Sequence, residues 1–417
     1  MPDQIRNWMK ARDLADAELK NLIEKQIIAT AYNVLGNYRK KLLLSLPSKE
    51  KAKGEINLGT ILYEEEKWSF GISNSELLQN LSIFGRSGAG KTNVAFHILI
   101  QLIEKKIPFL FLDWKRTARH LLPYLKAKIN LYTPGRKLSP FIFNPFVAPP
   151  GLEPHIYISL LVDVMADAFN LGVGSISLIQ KSILSLYNNG NSSPNAKDVI
   201  NSLKSLELTS QEAKWRITAL RALESLEFFG LEGTGNQEAI ARSLLHGQTI
   251  LELDSLSIQG KKFLIPILCL WLYNVKMQEP DREKLSLALF IEEAHHILYP
   301  KKSGESVMEM LLRQCRELGM CMIVIDQHPS LISPAVLGNC STSICLNLKD
   351  PSDINKAARI SLVDDSDKHY LGMLPVGQGI IKLQNRWKRP FLVKFPALEI
   401  KKGEVTDKAL ENYLKYK

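Results

Sequence analysis

Eight consecutive residues constrain this chain more than any others. Gly85-Arg86-Ser87-Gly88-Ala89-Gly90-Lys91-Thr92 fits the pattern GxxxxGK[ST] without a mismatch. The apolar run Leu81–Phe84 precedes it, and a helical pattern over Asn93–Glu104 follows it. A phosphate cradle needs that strand–loop–helix context. Its glycines let the backbone turn N–H groups inward, and the helix start adds the positive end of its dipole. The expected nucleotide-binding residues are Gly85, Arg86, Ser87, Gly88, Ala89, Gly90, Lys91, Thr92 and Asn93. Lys91 would reach the β- and γ-phosphates of ATP, and Thr92 would coordinate Mg²⁺.

Around this loop the period alternates between strand and helix. Strands are expected at Ile56–Tyr63, Trp68–Ile72, Leu81–Phe84, Pro108–Leu112 and Ile129–Tyr132. They return at Thr249–Leu253, Leu285–Ile291, Met320–Ile325, Thr342–Leu348 and Gly379–Leu383. This alternation predicts an α/β fold with a mainly parallel sheet covered by helices. Between the two groups of strands helical periodicity dominates. The expected division is an N-terminal helical segment 1–54, a first core part 55–150, a helical insertion 151–245, a second core part 246–397 and a basic tail 398–417.

Binding a nucleotide is not hydrolysing it. The apolar run Leu285–Ile291 ends in Glu292-Glu293-Ala294-His295. Adjacent carboxylates at the tip of a buried strand are costly unless they serve a cation or a reaction. Glu292 is assigned to the Mg²⁺ shell and Glu293 to polarising the attacking water. The run Met320–Ile325 ends in Asp326-Gln327-His328, and Gln327 is expected to sense the γ-phosphate or help to place water. Arg316, with Arg313 second, is the proposed arginine finger acting on a neighbour's nucleotide, because a guanidinium is planar and always charged. His295 and His296 lack further ligands at metal spacing and are expected to pack or hydrogen-bond. Asp113 and Lys115, at the tip of the second strand of this core, are expected at the active-site rim or in a subunit contact.

Charge narrows the partner. The net charge is +10 over 417 residues, which favours an anionic partner such as nucleic acid or a membrane surface. The basic loops Arg116–His120 and Arg136-Lys137 are candidates for contacting it. No signal peptide is evident, and the best membrane candidate, Phe263–Val275, is shorter than the ~20 apolar residues a span needs. The five cysteines form no CxxC pair, so reduced core residues of a soluble cytoplasmic protein are expected.

Taken in order, several segments resemble the HerA/FtsK branch of ring ATPases, which includes conjugation ATPases. "FLFLDWK" resembles the family's second strand, and "YTPGRKLSPFIFNPF" its PG turn and Asn-Pro pair. "LFIEEAHHIL" resembles its Walker B strand. "RELGMCMIVIDQHPSLISPAVLGNCST" is the most specific match, placing Gln327 at the sensor position and Arg316 at the finger position. The resemblance covers roughly residues 55–397. Glu292 stands where an aspartate is usual, Asp326 where Thr or Ser is expected, and a short helical segment where HerA repair proteins carry a β-barrel.

The resemblance implies a RecA-like ATPase core assembled as a homohexamer. It also implies double-stranded DNA in a central channel and a nuclease or other protein as partner. A packaging, conjugation or secretion motor would use the same chemistry. A nucleotide-regulated assembly switch is the alternative of another class, and the filled positions at Glu293 and Gln327 argue against it.

Overall fold

The computed structural model describes residues 3–13, 15, 19–20, 22–28, 30, 44–63, 67–228, 237–280, 282–301, 304–401 and 403–416. Residues 31–43 of the expected N-terminal helical segment, and Lys402 and Lys417 of the expected basic tail, lie outside the described residues. The chain divides into two compact units, Met1–Ser45 and Leu46–Lys417. The division therefore falls before the expected boundary at residue 54. In the first unit, helix α1 (Asp3–Asp13) ends with Lys10 and Arg12 in its last turn, which complements the helix dipole. Ile23 is buried there, while Trp8, Met9, Leu19, Leu22 and Ile28 are exposed.

The second unit is built on an eleven-stranded sheet in the order β2-β1-β11-β10-β9-β3-β8-β7-β4-β6-β5. The strands are β1 (Ile56–Ile61), β2 (Ser69–Ile72), β3 (Leu81–Phe84), β4 (Phe109–Asp113), β5 (Asn130–Tyr132) and β6 (Gln248–Glu252). They continue with β7 (Leu287–Glu292), β8 (Met320–Asp326), β9 (Thr342–Cys345), β10 (Gln378–Leu383) and β11 (Phe391–Lys394). From β9 to β5 every pairing is parallel. From β9 to β2 every pairing is antiparallel. The parallel strands β3, β4, β7 and β8 are buried at every position, as expected of strands covered on both faces.

Helix α2 (Lys91–Glu104) follows β3 and buries Val94, Ala95, Ile98, Leu99 and Leu102. The insertion consists of α3 (Pro154–Phe169), α4 (Val173–Asn188), α5 (Ala196–Ser205), α6 (Ser210–Phe228) and α7 (Gln237–His246). Helix α8 (Ile258–Met277) contains the expected membrane candidate. It is buried in the protein core, and among the described residues no helix is long and apolar enough to cross a membrane. Helices α9 (Val307–Gln314) and α10 (Pro351–Ser361) complete the cover.

The last segment differs from expectation. Strand β11, which the sequence did not announce, joins the sheet, and the basic tail, expected to have some helical character, forms α11 (Asp407–Tyr416). Leu410 of α11 is fully buried in the main core, with Tyr413 and Leu414 packed against it. All five cysteines are buried and free.

Candidate nucleotide site at the carboxyl edge of the sheet

The phosphate loop leaves the sheet by extending the ladders of both neighbours of β3. Gly85 N–H donates to the Asp326 carbonyl at 3.2 Å, and Arg86 N–H to the Asn347 carbonyl at 2.7 Å. Gly90 caps α2 with φ at 109°, a conformation other residues avoid. Lys91 Nζ donates to the Gly85 and Arg86 carbonyls at 2.7 and 3.2 Å, and burial lowers its pKa to about 8. It is thus held by neutral acceptors, which a phosphate oxygen would replace.

A cleft of about 360 Å³ opens beside the loop, within the range of small-ligand sites. Ser87, Gly88, Gly90, Lys91, Thr92 and Asn93 line it, as do Glu292, Glu293 and Gln327. Three of the expected loop residues play supporting parts instead. Gly85 packs under Leu346, where a Cβ would come within 2.8 Å. Ala89 is buried. The Arg86 guanidinium turns back onto Asn347 Oδ1 at 2.6 Å.

Parallel register places carboxylates in a row at the strand tips. Asp326 ends β8, Glu292 ends β7, Asp113 ends β4 and Glu252 ends β6. All are at most 7% exposed. Burial beside Asp113 pushes the Glu292 carboxyl up to about 8, against one N–H from Trp114 at 3.3 Å. Thr92 lines the same cleft. A hydroxyl and a carboxylate short of counter-charge fit a divalent cation with oxygen ligands.

Beyond β7 the chain turns sharply at Glu293, whose φ is 47°. The turn aims its side chain across the cleft. Gln327 Nε2 donates to Glu293 Oε1 and Oε2 at 3.0 and 3.3 Å, and Lys115 Nζ pairs with Oε1. Asp326, the unexpected acid before Gln327, turns away from the cleft. It accepts from the His295 and His328 N–H groups at 2.6 and 2.7 Å and pairs with His295 Nδ1 at 2.9 Å. That bond raises the His295 pKa. One buried carboxylate therefore ties the loop bearing Glu293 to the loop bearing Gln327. Glu293, His295 and Asp326 could also gather round a metal, but each is already engaged in these bonds. His296 stacks on Trp114, rings 5.0 Å apart and 11° from parallel.

Sequence reasoning missed the far wall. Phe96, His120, Leu398 and Ile400 line the cleft away from the phosphate loop. Asn93 fixes this wall. Its Nδ2 donates to the Pro396 carbonyl at 2.7 Å, and its Oδ1 accepts from Leu398 N–H at 2.8 Å. The side chain of Asn93 is thus spent on the C-terminal segment rather than on nucleotide. Only the register of α2 against residues some three hundred positions later reveals this.

The arginines sort differently from expectation. Arg119 is 1% exposed and paired with Glu252 and Asp407, so it does not contact an outside polyanion. Arg136 pairs with Asp254, and Arg116 lies at 3.6 Å from Asp407. Arg316 is exposed and precedes the amino end of β8, whereas Gln327 follows its carboxyl end. Seven strand residues span roughly 20 Å, so Arg316 cannot serve the cleft of its own chain. Arg313 pairs with Glu305 on the surface.

Comparisons with known proteins agree with this geometry. No curated protein sequence matches the chain significantly. Among solved structures, VirB4 of Thermoanaerobacter pseudethanolicus aligns with a TM-score of 0.65 and 14% identity, covering 82% of this chain and 96% of that one. The plasmid coupling protein TrwB, in complex with ADP and Mg²⁺, aligns with a TM-score of 0.59 and 12% identity, covering 79% and 88%. At such identities the likeness is one of fold. The family profile described as "Helicase HerA, central domain" matches residues 56–269. That span carries the phosphate loop, β4 and β6, and by it this chain belongs to the HerA central-domain family of P-loop NTPases.

Proposed function

We propose that this protein is an ATP-driven translocase of double-stranded DNA, working in the cytoplasm as a homohexameric ring on DNA processing, repair or defence. The observation that carries the reading is the meeting of Glu293 and Gln327 opposite Lys91 and Thr92 in one cleft. A pure binding switch needs no such pair.

Glu293 takes the proton of the attacking water, and Gln327 holds it in place. Lys91 moves from its loop carbonyls to the β- and γ-phosphates. Thr92 and Glu292 would hold Mg²⁺, which would supply positive charge against the phosphate oxygens. Arg316 of one subunit completes the site of the next, consistent with its place at the opposite edge of the sheet. Lys and Arg side chains would track phosphodiesters without reading sequence, in keeping with the net charge of +10. The segments 55–150 and 246–397 form the motor, with 151–245 inserted between them and a nuclease or other protein as partner. The likeness to VirB4 and to the plasmid coupling protein TrwB supports conjugative transfer as a second reading.

The test is ATP hydrolysis by the purified protein with and without linear double-stranded DNA at low salt. DNA should stimulate turnover. Lys91→Ala and Glu293→Gln should each remove turnover by at least about 100-fold. Glu293→Gln should still bind nucleotide. Hydrolysis indifferent to DNA would sink the translocase reading.

A further inference from the structure

The catalytic carboxylate is not poised to act in this structure. Oε1 of Glu293 already receives Gln327 Nε2 and Lys115 Nζ, and Oε2 has Gln327 at 3.3 Å and His295 Nδ1 at 3.9 Å. A general base needs a lone pair directed at water. The two lysines of the cleft therefore differ. Lys91 rests on neutral carbonyls and loses nothing by exchanging them for phosphate. Lys115 rests on the base itself.

Lys115 lies on a loop that is hydrogen-bonded at its root and exposed at its tip. Asp113 is fully buried and fixes the root, accepting from Lys115 N–H at 3.1 Å and Ala118 N–H at 2.7 Å. Trp114 is sandwiched between His296 and the ammonium of Lys261, which sits 4.5 Å from its ring. The outer residues are different. The side chains of Lys115 and Arg116 are 56% and 39% exposed, and Arg116 sits in the left-handed region at φ 61°. Lys115 is more than half exposed while Glu293 is 12% exposed, so of the two it is the lysine that can turn outward to another anion. Arg116 already lies 3.9 Å from Asp254 and 3.6 Å from Asp407, so Lys115 is the cation this tip can offer to a phosphodiester.

We propose that Lys115 is a clamp on the catalytic base. It holds Glu293 unproductive while no DNA is bound, and phosphodiesters of bound duplex draw Lys115 off and free the carboxylate. This regulation rests on the ATPase reading of the cleft. It makes Lys115 a positioning residue, acting on water only through Glu293.

The experiment compares the full-length protein with Lys115→Met and Lys115→Arg, measuring kcat and KM for ATP with and without linear duplex DNA. Lys115→Met should raise DNA-free kcat about fivefold or more, leave KM unchanged and gain little further from DNA. Lys115→Arg should restore the low DNA-free rate. A fall in DNA-free kcat toward that of Glu293→Gln, or a raised KM, would make Lys115 a γ-phosphate ligand and overturn the clamp. An unchanged rate and an unchanged DNA response would overturn it too. If the wild type ignores DNA yet Lys115→Met is faster, the clamp stands, and the translocase reading falls together with DNA as the releaser.

Discussion

The row of strand-tip carboxylates splits into two halves, a fully partnered far pair and a cleft pair in which Glu292 stands apart. On the cleft side, Glu292 and Asp326 end β7 and β8 beside the phosphate loop. On the far side, Asp113 and Glu252 end β4 and β6, opposite one another in register. All four are buried. What separates Glu292 from the other three is the partner, since even Asp326 receives the His295 and His328 N–H groups and the His295 ring. Glu252 receives two guanidinium N–H groups from Arg119, and Asp113 receives backbone N–H groups from its own loop. Glu292 has one N–H at 3.3 Å and a neighbouring carboxylate. A buried acid with its hydrogen-bond donors or counter-charge built in is architecture. A buried acid that lacks one waits for a ligand.

The far half should be the sensitive one in folding. Replacing Arg119 by Met leaves Glu252 buried without its cation, and removing one partner of a buried pair costs about 3–5 kcal/mol. Urea unfolding of Arg119→Met should show a loss of that order, and a loss below about 1 kcal/mol would erase the contrast. The cleft half should respond in the other direction. The pKa of Glu292 is raised in the fold to about 8. A raised acid contributes fully below its unfolded pKa, and that contribution is lost as pH rises through its folded pKa. Glu292→Gln should therefore gain thermal stability over the wild type between pH 5 and pH 8 (roughly, from the unfolded to the folded pKa). Equal midpoints at both ends of that window would show that Glu292 carries no burial penalty. The smallest effect belongs to Asp407, whose side chain is 54% exposed although Arg119 and Arg116 lower its pKa. Asp407→Ala should cost about 0.5–1 kcal/mol near neutral pH. A loss approaching that of Arg119→Met would move the centre of the network from Glu252 to the C-terminal helix.

What the sequence disclosed follows the same division. The phosphate loop, the strands before and after it and the acids Glu292 and Glu293 are local in sequence, and their period and punctuation reveal them. Strand β8 and Gln327 are legible for the same reason. The anchoring of Asn93 by Pro396 and Leu398, the pairing of Arg119 with Glu252, and the docking of α11 through Leu410 are long-range. No spacing rule reports them. Arg119 and Arg136 read as a basic surface because a sequence shows charges without their partners. Strand β11 was missed because Phe391–Lys394 is four residues long and follows a polar, proline-ended stretch.

The position of β3 also fixes when this protein can work during its own synthesis. The strand that launches the phosphate loop is held between β8 and β9, and the Ser82 hydroxyl meets that of Ser343, 261 residues later. A ribosome adding about 5–20 residues per second needs roughly 10–50 s to supply those walls. Through that interval the glycine-rich loop exists as sequence but has no sheet to stand on. The nascent chain can complete this cleft only after β8 and β9 have been made, which keeps an unfinished phosphate loop from engaging nucleotide.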